Sequence, residues 1–430
     1  MTIERVEVAI VGGGPAGSAL AILLARSGHE VLVVERSAAP GWRACGVFSP
    51  TALPRLADFG IAARDGALVR RLPGLRLEVR GSPPLDLFGN AFPAGFSRPS
   101  LDAVLLDMAR TAGAQVRTGV SVTGVSAASR VDPARIEVRG RDDGSRVIAA
   151  DLVVGADGIR SIVARSAGVG IRPALRGRVA LTFHVREPGR ARQAAIEPTA
   201  GARSGTAAVE QPRPWVASPN ARPGRTARMV VFDGGYCGLA PVPGGRVNAG
   251  IVLHGRRWFE ALRSDGPSAV ARRVLAALPP DPADGTCIDP HPLDAVAGSF
   301  PLAHAVRRAA GPRWLLVGDA AGFLDPFTGE GLDRALVSAG LAAEAIAEHR
   351  RGRPDALASY ADALAARFGP RDRLTLLLQA FVARPAVLAY ALRRVGRREA
   401  LRRTIDLVLA DRLPASRALD PHFLAAVLAP

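Results

Sequence analysis

Lysine is absent from all 430 residues, so the 56 basic side chains are arginines without exception. Chemistry that needs a lysine amine is thereby excluded: a pyridoxal phosphate Schiff base, or the lysine of a P-loop. Cysteine is scarce too. Cys45, Cys237 and Cys287 are widely spaced and form no CxxC pair, which argues against a disulfide framework and a structural zinc site, and no metal is expected. Long apolar runs are also missing: the longest nearly apolar stretches, such as Leu374 to Ala383, fall well short of the ~18–20 residues that span a bilayer. The chain opens on a strand-like run rather than a signal peptide, so a cytoplasmic protein with no transmembrane segment is expected.

What remains is 48% hydrophobic and 22% charged, the balance of a folded chain with room for two or three domains. The 56 basic against 39 acidic residues leave +17, which favours an acidic substrate or partner. Nucleic acid is not expected, because the arginines are dispersed and no helix-turn-helix, zinc-finger or RNA-recognition signature accompanies them.

The clearest organisation lies at the start. Val6 to Val11 reads as a buried strand, Gly12 to Gly17 as a glycine-rich turn, Ser18 to Ser27 as a helix and Val31 to Val34 as a second strand. Gly12, Gly14 and Gly17 fill a GxGxxG pattern, and Glu35 follows 18 residues after Gly17. Gly12 permits the tight turn, Gly14 lets backbone approach a diphosphate, and Gly17 lets helix and strand pack closely; the helix start offers free N–H groups to the anion. Pro15 and Ala16 complete that turn. Glu35, with Arg36 beside it, ends the second strand, where a carboxylate accepts ribose hydroxyls. A ligand containing ADP is expected, and the fingerprint alone does not separate NAD from FAD.

Two later segments do. DLVVGADGIRSIVARSAG at 151–168 and WLLVGDAAGFLDPFTGEGL at 314–332 are apolar strands that end in acidic-glycine turns. Together with the opening fingerprint they resemble the paired DG and GD signatures of the FAD-dependent oxidoreductase superfamily, which includes flavin aromatic hydroxylases and geranylgeranyl reductases. The resemblance implies an α/β fold: a Rossmann-type FAD-binding domain, an inserted antiparallel β-sheet substrate domain and a helical C-terminal region. The boundaries expected are 1–80, 98–177 and 295–365 for the FAD-binding domain, 81–97 and 178–294 for the substrate domain, and 366–430 for the helices. Residues 188–225, rich in Pro, Gly, Ala and Arg, read as a long surface excursion.

Within the resemblance, Gly318 and Asp319 lie at the end of a strand, where a carboxylate fixes a ribityl hydroxyl. Pro326, Gly329 and Gly331 keep the backbone thin as it turns into a helix with an apolar stripe through Leu332, Leu336, Ala339, Ala343 and Ile346. The start of that helix is expected to face the flavin, its dipole stabilising negative charge on the reduced ring by ~0.3–2 kcal/mol. Asp325 and Glu330 flank this start and read as caps, Glu330 also counting among the cofactor contacts. Asp157, Arg98 and the backbone of Val122 are further expected contacts, as are Arg43, Cys45 and Gly46 of the RACG element. FAD is expected to be held tightly without a covalent link. With no second GxGxxG to build a nicotinamide domain, NAD(P)H is expected as a transient reductant at the flavin itself.

The subfamily is less plainly written. Gly322, where hydroxylases tend to have histidine, and RACG at 43–46 lean toward the reductases. Tyr236 to Pro241 leans away, because it keeps only the tyrosine and proline of their tyrosine-x-tryptophan-x-phenylalanine-proline motif. The halogenase tryptophan motif is missing, as is the lysine that halogenases rely on. Monooxygenation is expected first, since there the cofactor generates the oxidant and the protein supplies a dry pocket. Reduction or desaturation of a carbon–carbon bond is the alternative, and a flavoprotein scaffold without turnover a third reading. Reduction needs a proton donor, for which Cys45, Tyr236 and His254 are candidates; a packing cysteine, a core aromatic and a strand-end histidine are their plainer readings. The substrate is expected to be a hydrophobic or aromatic small molecule of secondary metabolism, acidic or tethered to an acidic carrier that docks on the Arg-rich C-terminal helices.

Overall fold

The computed structural model describes residues 4–39, 47–49, 51–61, 68–88, 93–127, 132–140, 144–188 and 225–429. Arg43, Cys45, Gly46 and nearly all of the 188–225 excursion lie outside the described residues. The apolar opening run forms strand Glu4–Val11, which pairs in parallel with Val31–Glu35 on one side and Arg146–Gly155 on the other. Strands so enclosed are buried on both faces, which is why they read as continuous Val, Ile and Leu runs rather than alternating ones. Trp314–Leu316 adds in parallel to Arg146–Gly155, and Gln115–Thr118 to Val31–Glu35. Because all these strands point one way, the loops after Val11, Glu35, Gly155 and Leu316 converge at one edge of the sheet. That edge is where open parallel sheets bind ligands. Helices Pro15–Arg26 and Gly331–Arg350 pack together over the sheet, and a Cβ on Gly318 would come within 2.9 Å of Ala16 Cβ.

The second layer is a seven-stranded sheet in the order Ala297–Ser299, Arg178–Arg186, Arg246–His254, Gly235–Val242, Ala227–Phe232, Leu75–Val79, Leu85–Leu87. Its pairs are antiparallel except one: Leu75–Val79 runs parallel to Ala227–Phe232. This corrects the expected boundary at residue 80, since 75–79 belong to the substrate sheet. Ala94–Phe96 departs the other way, pairing with Val47–Ser49 and Val69–Arg71 in a separate small sheet. The boundary at 365/366 is likewise crossed, by the unbroken helix Ala356–Val382.

One face of the seven-stranded sheet packs Leu77, Val79 and Leu87 against Leu388, Leu392 and Val395 of helix Pro385–Arg397. The other packs Phe183, Cys237 and Ile251 against Val270 and Val274 of helix Gly266–Ala276. Among the described residues no single helix is long and apolar enough to cross a membrane; Ala356–Val382 and Pro385–Arg397 pass such a test only as a pair bent by 111°.

Where Leu75–Val79 meets Ala227–Phe232, Arg228 and Glu78 form a buried bidentate pair, Nε to Oε1 at 2.6 Å and Nη2 to Oε2 at 2.8 Å. Glu78→Leu is expected to destabilise the protein by ~3–5 kcal/mol, because it strands a buried guanidinium, and Glu78→Leu/Arg228→Met to recover most of that loss. Denaturant midpoints check both.

Candidate functional site

The opening turn has the geometry its glycines imply. Gly12 sits at φ +107°, and a Cβ there would come within 2.5 Å of the Ala156 carbonyl oxygen. A Cβ on Gly17 would lie 2.0 Å from the Gly12 carbonyl oxygen, so helix Pro15–Arg26 approaches the strand as closely as backbone allows. Gly14 is the reverse case: nothing lies within 4 Å of where its Cβ would be. It is also the N-cap of helix Pro15–Arg26, and no side chain caps that helix start.

Glu35 is buried at the end of its strand. Its Oε2 accepts the Gly13 N–H at 2.7 Å and its Oε1 the Ser37 N–H at 2.9 Å, so the carboxylate shapes the loop as well as facing it. Arg36 is exposed, and Val122 lies half-buried on strand Ser121–Ser126. Arg98 opens helix Arg98–Thr111 and is held by Asp102, Nε to Oδ1 at 2.9 Å and Nη2 to Oδ2 at 3.0 Å.

Asp157 follows Arg146–Gly155. Its Oδ2 accepts the Ile162 N–H at 2.6 Å, while its Oδ1 is buried and has no hydrogen-bond partner among the described residues. Burial pushes this carboxyl up, against the pull of Ser161 and the Ile162 N–H. Beside it stands His304, which the sequence did not bring forward. Its Nε2 lies 3.1 Å from the Ala320 carbonyl, and burial lowers its pKa, so the ring stays neutral at physiological pH.

The third loop carries Asp319, half-buried in the single turn Gly318–Ala321, whose Gly318 N–H is taken by Ser338 Oγ at 2.8 Å. Gly329 then closes a turn on Pro326, its N–H 3.0 Å from the Pro326 carbonyl, and helix Gly331–Arg350 begins with no side-chain cap from Glu330. Leu332 is buried under it, and a Cβ on Gly331 would meet nothing within 4 Å.

Tyr236 reaches this loop from the second sheet. Its hydroxyl donates to Asp325 Oδ1 at 2.5 Å, and the same oxygen accepts Gln379 Nε2 at 2.8 Å and the Phe327 N–H at 3.1 Å. Arg178 Nη1 holds Asp325 Oδ2 at 2.8 Å. Asp325 is therefore no helix cap; it ties the seven-stranded sheet, the loop before Gly331–Arg350 and helix Ala356–Val382 together. Burial, then the charge of Asp325, push the Tyr236 phenol well above its ordinary range. Burial also raises Asp325 itself, against its donors. Strand register puts His254 opposite Arg178, and its buried Nε2 has no partner among the described residues. Cys237 points to the opposite face, where burial raises its thiol to about 12.

These loops define an oxidoreductase-type dinucleotide site whose ligand lies across the sheet edge, with a second sheet closing over one end. The comparisons with known proteins give it a family. A model of the FAD binding domain matches residues 5–188. Menaquinone reductase of Mycolicibacterium smegmatis is 30% identical over 349 residues, 79% of this chain and 76% of that protein. Digeranylgeranylglycerophospholipid reductase 1 of Methanopyrus kandleri is 27% identical over 353 residues, 80% of each. The 6-methylpretetramide 4-monooxygenase of Streptomyces rimosus is 29% identical over 430 residues, 96% of this chain and 90% of that one. Among solved structures, a flavoprotein/dehydrogenase from Cytophaga hutchinsonii superimposes with TM-score 0.74 at 20% identity, covering 95% of this chain and 93% of that one. The halogenase PltM in complex with phloroglucinol and FAD reaches 0.68 at 16%, covering 99% and 86%. The chain belongs to the FAD-dependent oxidoreductase superfamily.

The residues fit that cofactor. The open space at Gly14 and the uncapped helix start suit a diphosphate, and the orphaned Asp157 Oδ1 lacks the donor that a hydroxyl would supply. Gly12, Gly14, Glu35, Asp157, Asp319 and the start of Gly331–Arg350 would hold it.

Proposed function

We propose that this protein reduces a carbon–carbon double bond in a hydrophobic small molecule, with Tyr236 as the proton donor. The observation that carries the reading is the Tyr236–Asp325 bond, which sets a phenol proton between the substrate sheet and the ring-facing loop. FAD, when bound and reduced, would supply the hydride equivalent for one carbon. Tyr236 gives its proton to the other, and solvent returns it in the next cycle. Arg178 partly offsets the Asp325 charge that, with burial, holds the phenol proton in place, and Gln379 fixes the carboxylate's orientation. The aromatic lining that residues 236–241 lack comes partly from the loop instead: Phe327 stacks edge-on to Tyr236 with ring centroids 5.1 Å apart, and Phe323 joins the same apolar cluster. The names of the reductase relatives agree with this reading.

Monooxygenation, the first expectation from the sequence, keeps one argument: the monooxygenase relative matches nearly the whole chain. Anaerobic mixing separates the two. Dithionite-reduced holoenzyme reoxidised by menaquinone or a polyprenyl substrate without oxygen, with two hydrogens added across a carbon–carbon double bond of the product rather than to a quinone ring, is the reductase result. Turnover that occurs only with oxygen uptake overturns it.

An acidic substrate or carrier would meet a cleft of about 680 Å³ between the sheet edge and helix Glu399–Leu409, where Arg402, Arg403 and Arg412 stand near Phe88 and Leu407. If an anion docks there, KM is expected to rise with salt in the wild type and to lose that dependence in Arg402→Gln/Arg403→Gln. Steady-state kinetics over a salt series checks it.

A further inference from the structure

The turn that leads into helix Gly331–Arg350 is gripped from the far end of the chain. Helix Ala356–Val382 presents Gln379 to Asp325 and, eight residues earlier on the same face, Arg371 to Glu330. Arg371 Nη1 meets Glu330 Oε1 at 2.5 Å, while its Nη2 holds Asp411 Oδ1 at 2.8 Å and the Val408 carbonyl at 3.3 Å. Its side chain is 4% exposed and that of Glu330 10%. One turn further on, Asp333 is held by Arg55 at 2.5 Å and by Arg367 at 3.8 Å, and both arginines also reach Asp411. Three carboxylates, Glu330, Asp333 and Asp411, thus face three guanidiniums, Arg55, Arg367 and Arg371.

Buried ion pairs return little net stability compared with apolar packing, so stability alone does not account for this cluster. Its position does. Glu330 and Asp333 sit in the first turn of the helix whose start faces the flavin ring, where unbalanced negative charge would oppose reduction of the cofactor. The balancing charge comes chiefly from Arg371, with a smaller share from Arg334 of the same helix. We infer that Arg371 is a positioning residue for the cofactor: it cancels the Glu330 charge at the helix start and so raises the potential at which the bound flavin is reduced. This rests on the FAD reading and adds to it a role for the C-terminal helices in setting the flavin's chemistry.

The test is a redox titration at pH 8 of FAD-reconstituted wild type, Arg371→Gln, Glu330→Gln and the double variant. Arg371→Gln should shift the midpoint negatively by at least a tenfold change in the oxidised-to-reduced ratio, about 30 mV for a two-electron couple. Glu330→Gln should shift it positively, and the double variant should return close to wild type. An unchanged midpoint in Arg371→Gln, or a double variant no nearer wild type than that single variant, overturns the inference while leaving the flavin reading intact. If Arg371→Gln fails to fold, Glu330→Gln decides alone: a positive shift supports the inference and no shift overturns it. Wild type that takes up no FAD defeats the flavin reading itself, and this inference with it.

Discussion

Gly17→Ala is expected to abolish FAD retention and to destabilise the chain, whereas Gly14→Ala is expected to damage FAD retention alone. The two differ by what a methyl group meets. On Gly17 it would lie 2.0 Å from the Gly12 carbonyl oxygen, and because that oxygen is backbone, relief requires the helix to move off the strand. Forced overpacking of this kind costs ~1–3 kcal/mol or more, and here it also opens the diphosphate cradle. On Gly14 the methyl meets nothing within 4 Å, and the residue's φ of −74° suits alanine. The cost to the FAD-free protein is then only the ~0.5–1 kcal/mol by which alanine falls short of glycine as an N-cap. The methyl does occupy the space the diphosphate needs, so affinity should fall at least tenfold, or ~1.4 kcal/mol. Thermal melts without FAD and calorimetric titration with it separate the two effects; equal melting losses in both variants would refute the assignment of their roles.

Tyr236→Phe is expected to cut turnover by ~10²–10⁴-fold, the usual loss on removing a general acid, while reduction of the bound flavin by NAD(P)H proceeds at the wild-type rate. The protein should stay folded. Asp325 keeps Gln379, Arg178 and the Phe327 N–H, so the lost hydrogen bond to this carboxylate costs roughly 1.5–3 kcal/mol. Burial and the neighbouring carboxylate hold the phenol protonated well past its ordinary range. Wild-type turnover should therefore show no basic limb from this group across about pH 6–9, because a donor with a raised pKa keeps its proton as pH climbs. Stopped-flow comparison of the two half-reactions checks the split; a slowed reductive half-reaction with normal substrate reduction would assign Tyr236 to another task.

The fingerprint glycines, Glu35 and the DG and GD turns were legible because each is a local event, a strand, a turn and a helix start within a short stretch of chain. The bond between Tyr236 and Asp325 was not. Those residues lie 89 positions apart and meet only because the second sheet folds over the loop, so Asp325 reads in sequence as an ordinary helix-end acid. Gln379 carries no signal at all; it is one polar residue in an apolar stretch, and its burial beside a carboxylate is a property of the assembled helix. Leu75–Val79 shows a different limit. Its Leu-Arg-Leu-Glu-Val alternation specifies a half-buried strand but not which sheet it joins, and that choice is made by the parallel register with residues 227–231 and the Arg228–Glu78 pair. Glu35 was read for a ligand contact, and in the structure its carboxylate pins the Gly13 and Ser37 N–H groups, a backbone role that residue type does not announce.

Calorimetric titration of the flavin-free chain with FAD, in parallel with the Gly14→Ala variant, tests the central claim most directly. Tight one-to-one binding that yields a yellow holoprotein, weakened in the variant without loss of fold, is the result predicted. Protein that binds no FAD, or binds it equally well with a methyl group at position 14, would contradict the cofactor's placement across this sheet edge.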